Sequence, residues 1–131
     1  DAARRKNFET LQSIFKPYEK YLHLPKATEK ADPCWFAYLM TVRQDAPFKR
    51  HNIVSHLEKH RIQTRSYFSG NVLAHPGYHH LAEPYGNLRE TFPVATQVTL
   101  KSFFLGTFIG LTEEKLDYIK KVVDDFFKDV K

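Results

Sequence analysis

Arg65 and Gln63 are the residues whose types and spacing best suit chemistry, because a guanidinium and an amide two apart in an extended segment point to the same side. They sit in a stretch from Arg61 to Pro76 that opens with strand-forming residues (Ile62, Thr64, Tyr67, Phe68) and closes on Gly70, Asn71 and Pro76, a polar loop. An arginine at the end of a strand, beside a glycine and an asparagine, can grip a phosphate or carboxylate with two parallel hydrogen bonds. It can equally pair with an aspartate or glutamate, and Asn71 can equally cap a turn. Tyr67, Phe68, Phe103 and Phe104 read first as core rings and second as stacking platforms.

Other reactive residues form no complete set. His56 and His60 are four apart, a helical spacing that can share a metal, and His75, His79 and His80 crowd one loop. No acid or cysteine stands at a supporting spacing, and the glutamate between His56 and His60 is misplaced for a zinc-protease motif, so no metal site is expected. Cys34 opens an apolar run and is expected to behave as a small buried hydrophobe rather than a nucleophile. There is no Gly-rich phosphate loop, G-x-S-x-G elbow or pair of carboxylates. No catalytic residue is assigned.

The elements that would position Arg65 follow from periodicity. Phe8, Leu11, Ile14 and Phe15 repeat as one helix face that ends at Lys16-Pro17. The run from Cys34 to Val42 scarcely alternates and is expected to be a central strand covered on both faces, one of them by an absent partner. A short helix carries Ile53, Val54 and Leu57, and the strand Ile62–Phe68 follows. Residues 70–91 contain five glycines or prolines and read as one long functional or partner-bound loop. A short helix (94–102) leads into a third strand (103–109), in which Gly106 suggests close backbone approach. Thr112 caps a last helix with Glu113 and Glu114 in its first turn and a stripe of Leu116, Ile119, Val123, Phe126 and Val130. The order gives an α+β fold, with a small, mainly antiparallel sheet of three or four strands and helices packed on one face.

At 131 residues and 42% hydrophobic, the chain is the size of one domain with a real core. The net charge of +5 is spread over helix faces, without a dense basic tract, so nucleic acid is not the expected partner. No apolar run is long enough for a membrane helix, and the single cysteine suits a cytoplasmic protein. Residue 1 already lies inside a helical pattern, as in a fragment of a longer protein.

Several signatures coincide in order: Thr64-Arg65, then Phe68-x-Gly70-Asn71, Pro76-x-Tyr78, Ser102-Phe103-Phe104-Leu105-Gly106, and Gly110-Leu111-Thr112-Glu113-Glu114 leading to Asp117-Tyr118. Together they resemble the C-terminal small domain of the DegT/DnrJ/EryC1/StrS sugar aminotransferase family, and most of all its CDP-4-keto-6-deoxyglucose 3-dehydrase branch. Gln63, Phe104 and Ile109 depart from that pattern. The resemblance implies the C-terminal domain of a fold-type I pyridoxal-phosphate protein, in which 1–24 is a linking helix and 34–131 the sheet-and-helix core. It implies a nucleotide-linked 4-keto-6-deoxy sugar as substrate and deoxysugar or lipopolysaccharide biosynthesis as context. PLP or its amine form PMP, and in some members a 2Fe–2S cluster, would be held by a large domain absent from this chain, in a homodimer with a possible reductase partner. On the same ground Gln63, Arg65, Phe68, Gly70 and Asn71 are expected to contact substrate. No cofactor or metal is expected in this chain, and the alternatives are an aminotransferase of the same family and, favoured only by the charge and tyrosine content, a non-enzymatic basic nucleic-acid-binding module.

Overall fold

The computed structural model describes residues 1–130. Helix α1 (Ala2–Phe15) buries Asn7, Phe8, Leu11, Ile14 and Phe15, the stripe its spacing dictates. A 3₁₀ turn over Lys16–Tyr18 replaces it at Pro17, whose ring cannot continue an α-helix without loss of a hydrogen bond. Strands β1 (Leu22–His23), β2 (Ala37–Val42), β3 (Arg65–Ser66) and β4 (Ser102–Gly106) make one sheet in the order β1-β2-β4-β3, with every pairing antiparallel. Helices α2 (Arg50–Lys59) and α6 (Glu113–Lys128) complete the main frame.

Register sorts the strand residues onto two faces. Tyr38 opposes Leu105 and Met40 opposes Phe103, and all four are buried with Val42 in a single cluster with α1, α2 and α6. Leu39 opposes Phe104, Thr41 opposes Ser102, and Arg65 opposes Phe104, so these residues share the other face. The central strand therefore alternates between buried and half-buried positions, where its unbroken apolar run predicted burial on both sides. The run outlasts the pairing: β2 starts only at Ala37, and Cys34 before it is exposed rather than buried.

Two further expectations are corrected. The strand predicted over Ile62–Phe68 is reduced to Arg65–Ser66, because Glu58 Oε1 accepts from both the backbone N–H and the hydroxyl of Thr64, at 2.5 and 2.8 Å. That bond ties the approach to α2 rather than to β4. Gly106 meets only the Phe108 ring, 3.5 Å from where a Cβ would stand, an ordinary contact. The close approach falls instead at Gly70, whose φ is +58° and where a Cβ would lie 2.9 Å from the Thr99 backbone, a position only glycine fits without strain.

The segment predicted as one long loop is a chain of single turns. It contains 3₁₀ turns at Val72–Ala74, Pro76–Tyr78 and Glu83–Tyr85 and short helices α3 (His79–Ala82) and α4 (Leu88–Thr91), and it leads into α5 (Pro93–Lys101), the short helix expected over 94–102. None of these short elements buries a residue, and the segment is held by caps such as Asn71 on Leu73 N–H and Asn87 on Arg89 N–H. Helix α6 has the Thr112 cap and the acidic first turn expected of it. Its inward face also includes Val122 and Phe127, the latter stacked on Tyr18 at 3.9 Å.

Candidate functional site

The candidate site lies where β3 ends. Arg65 occupies the edge strand, exposed, and among the described residues it forms no ion pair. It borders a small cleft of about 120 Å³ with Arg50 and His51 from the start of α2. Gln63 precedes the paired residues and lines a different cleft of about 390 Å³ with Ile62, Phe108 and Tyr118. The pairing of Gln63 with Arg65 that an extended strand would impose is therefore absent, since only Arg65 and Ser66 join the ladder.

Phe68 follows with φ +45°, a conformation a bulky residue adopts only under constraint. Its N–H donates to Ser66 O at 2.8 Å, and its ring, 69% exposed, lies 6.5 Å from Phe36 and 5.9 Å from Phe104. Phe36 is itself 62% exposed, so the far face of the sheet carries an uncovered cluster of aromatic rings beside Arg65. Phe103 and Phe104 are core rings as expected, whereas Tyr67 and Phe68 are not.

Gly70 and Asn71 turn inward. The Asn71 N–H donates to Thr99 Oγ1 at 2.7 Å and Thr99 donates onward to Ala95 O at 2.7 Å, which fastens the loop to α5. Asn71 is buried, and its Oδ1 accepts from Leu73 N–H at 3.2 Å. The structure thus gathers Arg65 and Phe68 at the edge of the open face, places Gly70 and Asn71 against α5, and separates Gln63 from both.

Sequence reading missed Arg50, whose Nη1 donates to Thr99 O and Ser102 O at 3.1 and 3.2 Å and so caps the end of α5. With Arg43, Lys49, His51 and Lys101 it lines a cleft of about 800 Å³, and no acidic side chain lines it. The available signal was the run Lys49-Arg50-His51, cations at a helix start where acids are usual. The histidine pairs take structural roles: His56 Nε2 lies 3.0 Å from Val122 O, His60 Nδ1 2.8 Å from His56 O, and His75 Nε2 2.6 Å from Ser69 O. Among the described residues no cluster of three or more metal-ligating side chains occurs. No helix there is long and apolar enough to cross a membrane.

Comparison with known proteins agrees with this frame. The sequence pattern of the DegT/DnrJ/EryC1/StrS aminotransferase family matches residues 1–124. The chain is 33% identical over 125 residues to the lipopolysaccharide biosynthesis protein RfbH of Salmonella typhimurium, across 95% of this chain and 28% of that protein. It is 31% identical over 125 residues to dTDP-4-dehydro-2,6-dideoxy-D-glucose 3-dehydratase of Saccharopolyspora spinosa, across 95% of this chain and 26% of that one. The fold matches the E. coli GDP-4-keto-6-deoxy-D-mannose-3-dehydratase with bound hydrated PLP at TM-score 0.69 and 23% identity, covering 93% of this chain and 30% of that one. The chain thus spans between a quarter and a third of the length of these proteins.

Proposed function

The chain belongs to the DegT/DnrJ/EryC1/StrS aminotransferase family, and from that premise we propose that it is the C-terminal small domain of a PLP- or PMP-dependent nucleotide-sugar 3-dehydrase. The domain would run over the whole chain, with residues 1–24 as the link and 34–131 as the core. Its parent would remove the C3 hydroxyl of a nucleotide-linked 4-keto-6-deoxy sugar, CDP-4-keto-6-deoxyglucose, in cytoplasmic deoxysugar and O-antigen biosynthesis. The observation that carries this reading is the likeness along 95% of the chain to a 3-dehydratase. The uncommitted Arg65 beside an exposed ring adds a group that can hold a charged sugar nucleotide.

The cofactor would supply an amine that condenses with the sugar ketone. A bound pyridine ring needs a carboxylate near its nitrogen together with donors for its phosphate. The clefts of about 800 and 430 Å³ have no acid in their lining, and the cleft of about 550 Å³ holding Asp125 and Asp129 contains neither lysine nor arginine. These residues do not fit the cofactor, and we assign it to the part of the parent outside this chain. Cys34 likewise offers one thiolate, where a 2Fe–2S cluster takes four ligands.

In this reading Arg65, Gln63 and Phe68 face the substrate, Gly70 and Asn71 shape the turn behind them, and the bare aromatic face of the sheet takes the parent's large domain. A second subunit would complete a homodimer. The fragment alone is inactive. In the full-length parent, Arg65→Ala should weaken nucleotide-sugar binding by about 1.5–3 kcal/mol, the worth of a charged hydrogen bond. An unchanged substrate constant would return Arg65 to a structural role. The family's own description supports the second reading, an aminotransferase. The two separate at one upstream position, where a lysine in the cofactor site indicates the transaminase and a histidine the dehydrase.

A further inference from the structure

We propose that the cleft between the end of β2, the start of α2 and the end of α5 binds an organic phosphate, a diphosphate carried on an apolar or aromatic body, at a site separate from the substrate contacts assigned to Arg65. The cleft holds about 800 Å³, within the roughly 300–1,000 Å³ that small-molecule sites occupy. Its lining has two characters. Val42, Phe48 and Leu100 give it an apolar part, in which Val42 is buried and Leu100 is 51% exposed. Arg43, Lys49, Arg50 and Lys101, with His51 beside them, give it a cationic part.

The cations are held in place without being neutralised. Arg50 is half-buried, and its Nη1 is fixed by Thr99 O and Ser102 O at 3.1 and 3.2 Å, which leaves Nε and Nη2 without an acceptor among the described residues. Arg43, also half-buried, commits Nε to Glu19 O at 2.9 Å, and the Glu19 carboxylate is taken by Lys16 and Lys26. Lys101 donates to Gln44 Oε1, another lining group. None of Arg43, Lys49, Arg50 and Lys101 forms an ion pair among the described residues. Asp45 is a neighbour in sequence, but it is exposed and does not line the cleft. Carbonyl and amide partners orient a cation and leave its charge uncompensated.

The uncompensated charge reaches further. Arg50 and His51 also border the cleft of about 120 Å³ at Arg65, and no acid lines that one either. Lys49 and Arg50 stand where the helix dipole of α2 already disfavours cations, so their gathering is unfavourable until an anion joins them. Guanidinium and ammonium groups with free donors are complementary to phosphate oxygens. The apolar part matters equally, because a lone phosphate would leave Phe48 and Leu100 uncovered, whereas a nucleoside-sized body would cover them.

Titration of the chain with cytidine diphosphate, followed by backbone ¹⁵N resonances, tests this. The expected result is a saturable shift of residues 48–52 and 100–101, absent with cytidine and about tenfold weaker with inorganic pyrophosphate. Lys49→Gln and Leu100→Asp change exposed positions and should leave the fold intact. The first should raise Kd about tenfold, as for one charged hydrogen bond, and the second sets a carboxylate among the cations and should abolish saturation. Shifts centred on 65–71, or a Kd that neither variant alters, overturn the proposal. So does a glutamate-rich peptide that binds the same residues as tightly as cytidine diphosphate, since the cleft is then a protein contact. In the parent saturated with its sugar nucleotide, one further cytidine diphosphate per chain should bind and be lost in Leu100→Asp; no further binding overturns a separate site. Arg65→Ala should leave the Kd of the chain unchanged, so this site and the functional reading above can fail independently.

Discussion

The two faces of the sheet are built from alternate residues of the same strands and have opposite fates. On one, Tyr38, Met40, Phe103 and Leu105 meet α1, α2 and α6 and are almost wholly removed from water. On the other, Leu39 is half-buried, and Phe104, although itself buried, is covered by Phe36 and Phe68, rings that are mostly exposed. The first face obtains its stability within the chain. The second mixes Leu39 and Phe104 with Thr41, Ser102 and Arg65, and an exposed aromatic cluster next to an unpaired arginine is how an interaction surface is normally composed. Burial, rather than residue type, separates structural from functional aromatics here.

Substitution at neighbouring positions of β4 is the strongest way to break the comparison. Phe103→Ala should destabilise the chain by about 3–5 kcal/mol, the usual cost of emptying a packed aromatic site, measured by urea unfolding. Phe104→Ala should cost about 1–2 kcal/mol, since its exposed neighbours can collapse into the gap. Equal losses would mean the far face is as well packed as the near one.

Alkaline titration sharpens the comparison at the margin of the helix-covered face. Burial, and then the bond to Asp124 at 2.7 Å, push the Tyr18 hydroxyl from its usual 10.0 up to about 12. The folded state favours the neutral phenol, so its contribution is fully present below about pH 10 and is lost as the pH rises through about 12. Tyr18→Phe retains the stacking on Phe127 and should flatten the fall in Tm between these values; an identical fall would remove Tyr18 from the cause. The smallest effect is expected for Phe68→Ser, within about 0.5 kcal/mol for the chain alone, while association with the rest of the parent weakens. A large loss of intrinsic stability would show that the far face is closed by its own rings.

What the sequence made legible follows the range of the forces involved. The capped last helix and the α1 stripe depend on contacts three or four residues apart, and both appear where periodicity puts them. Phe127 escaped because its stacking partners, Tyr18 and Tyr21, are over a hundred positions away. Cys34 was misread for a similar reason: its apolar run continues past the point where β4 stops pairing, and nothing local marks that end. At the site, Arg65 could be picked out by type as a cation without a neighbouring acid, whereas Phe68 read by type as a core ring and is exposed. The anchoring of Asn71 on Thr99 is a product of tertiary folding, and no spacing in the chain encodes it.

The sheet's outer strands, β1 and β3, have only two residues each. Edges that short give another chain almost no ladder of free N–H and C=O groups to extend, and the +45° bend at Phe68 turns the backbone away directly after β3. Self-association of this domain should therefore occur face to face, through side chains, dilutable and free of cross-β order. Light scattering that disappears on dilution, without thioflavin binding, would be its mark.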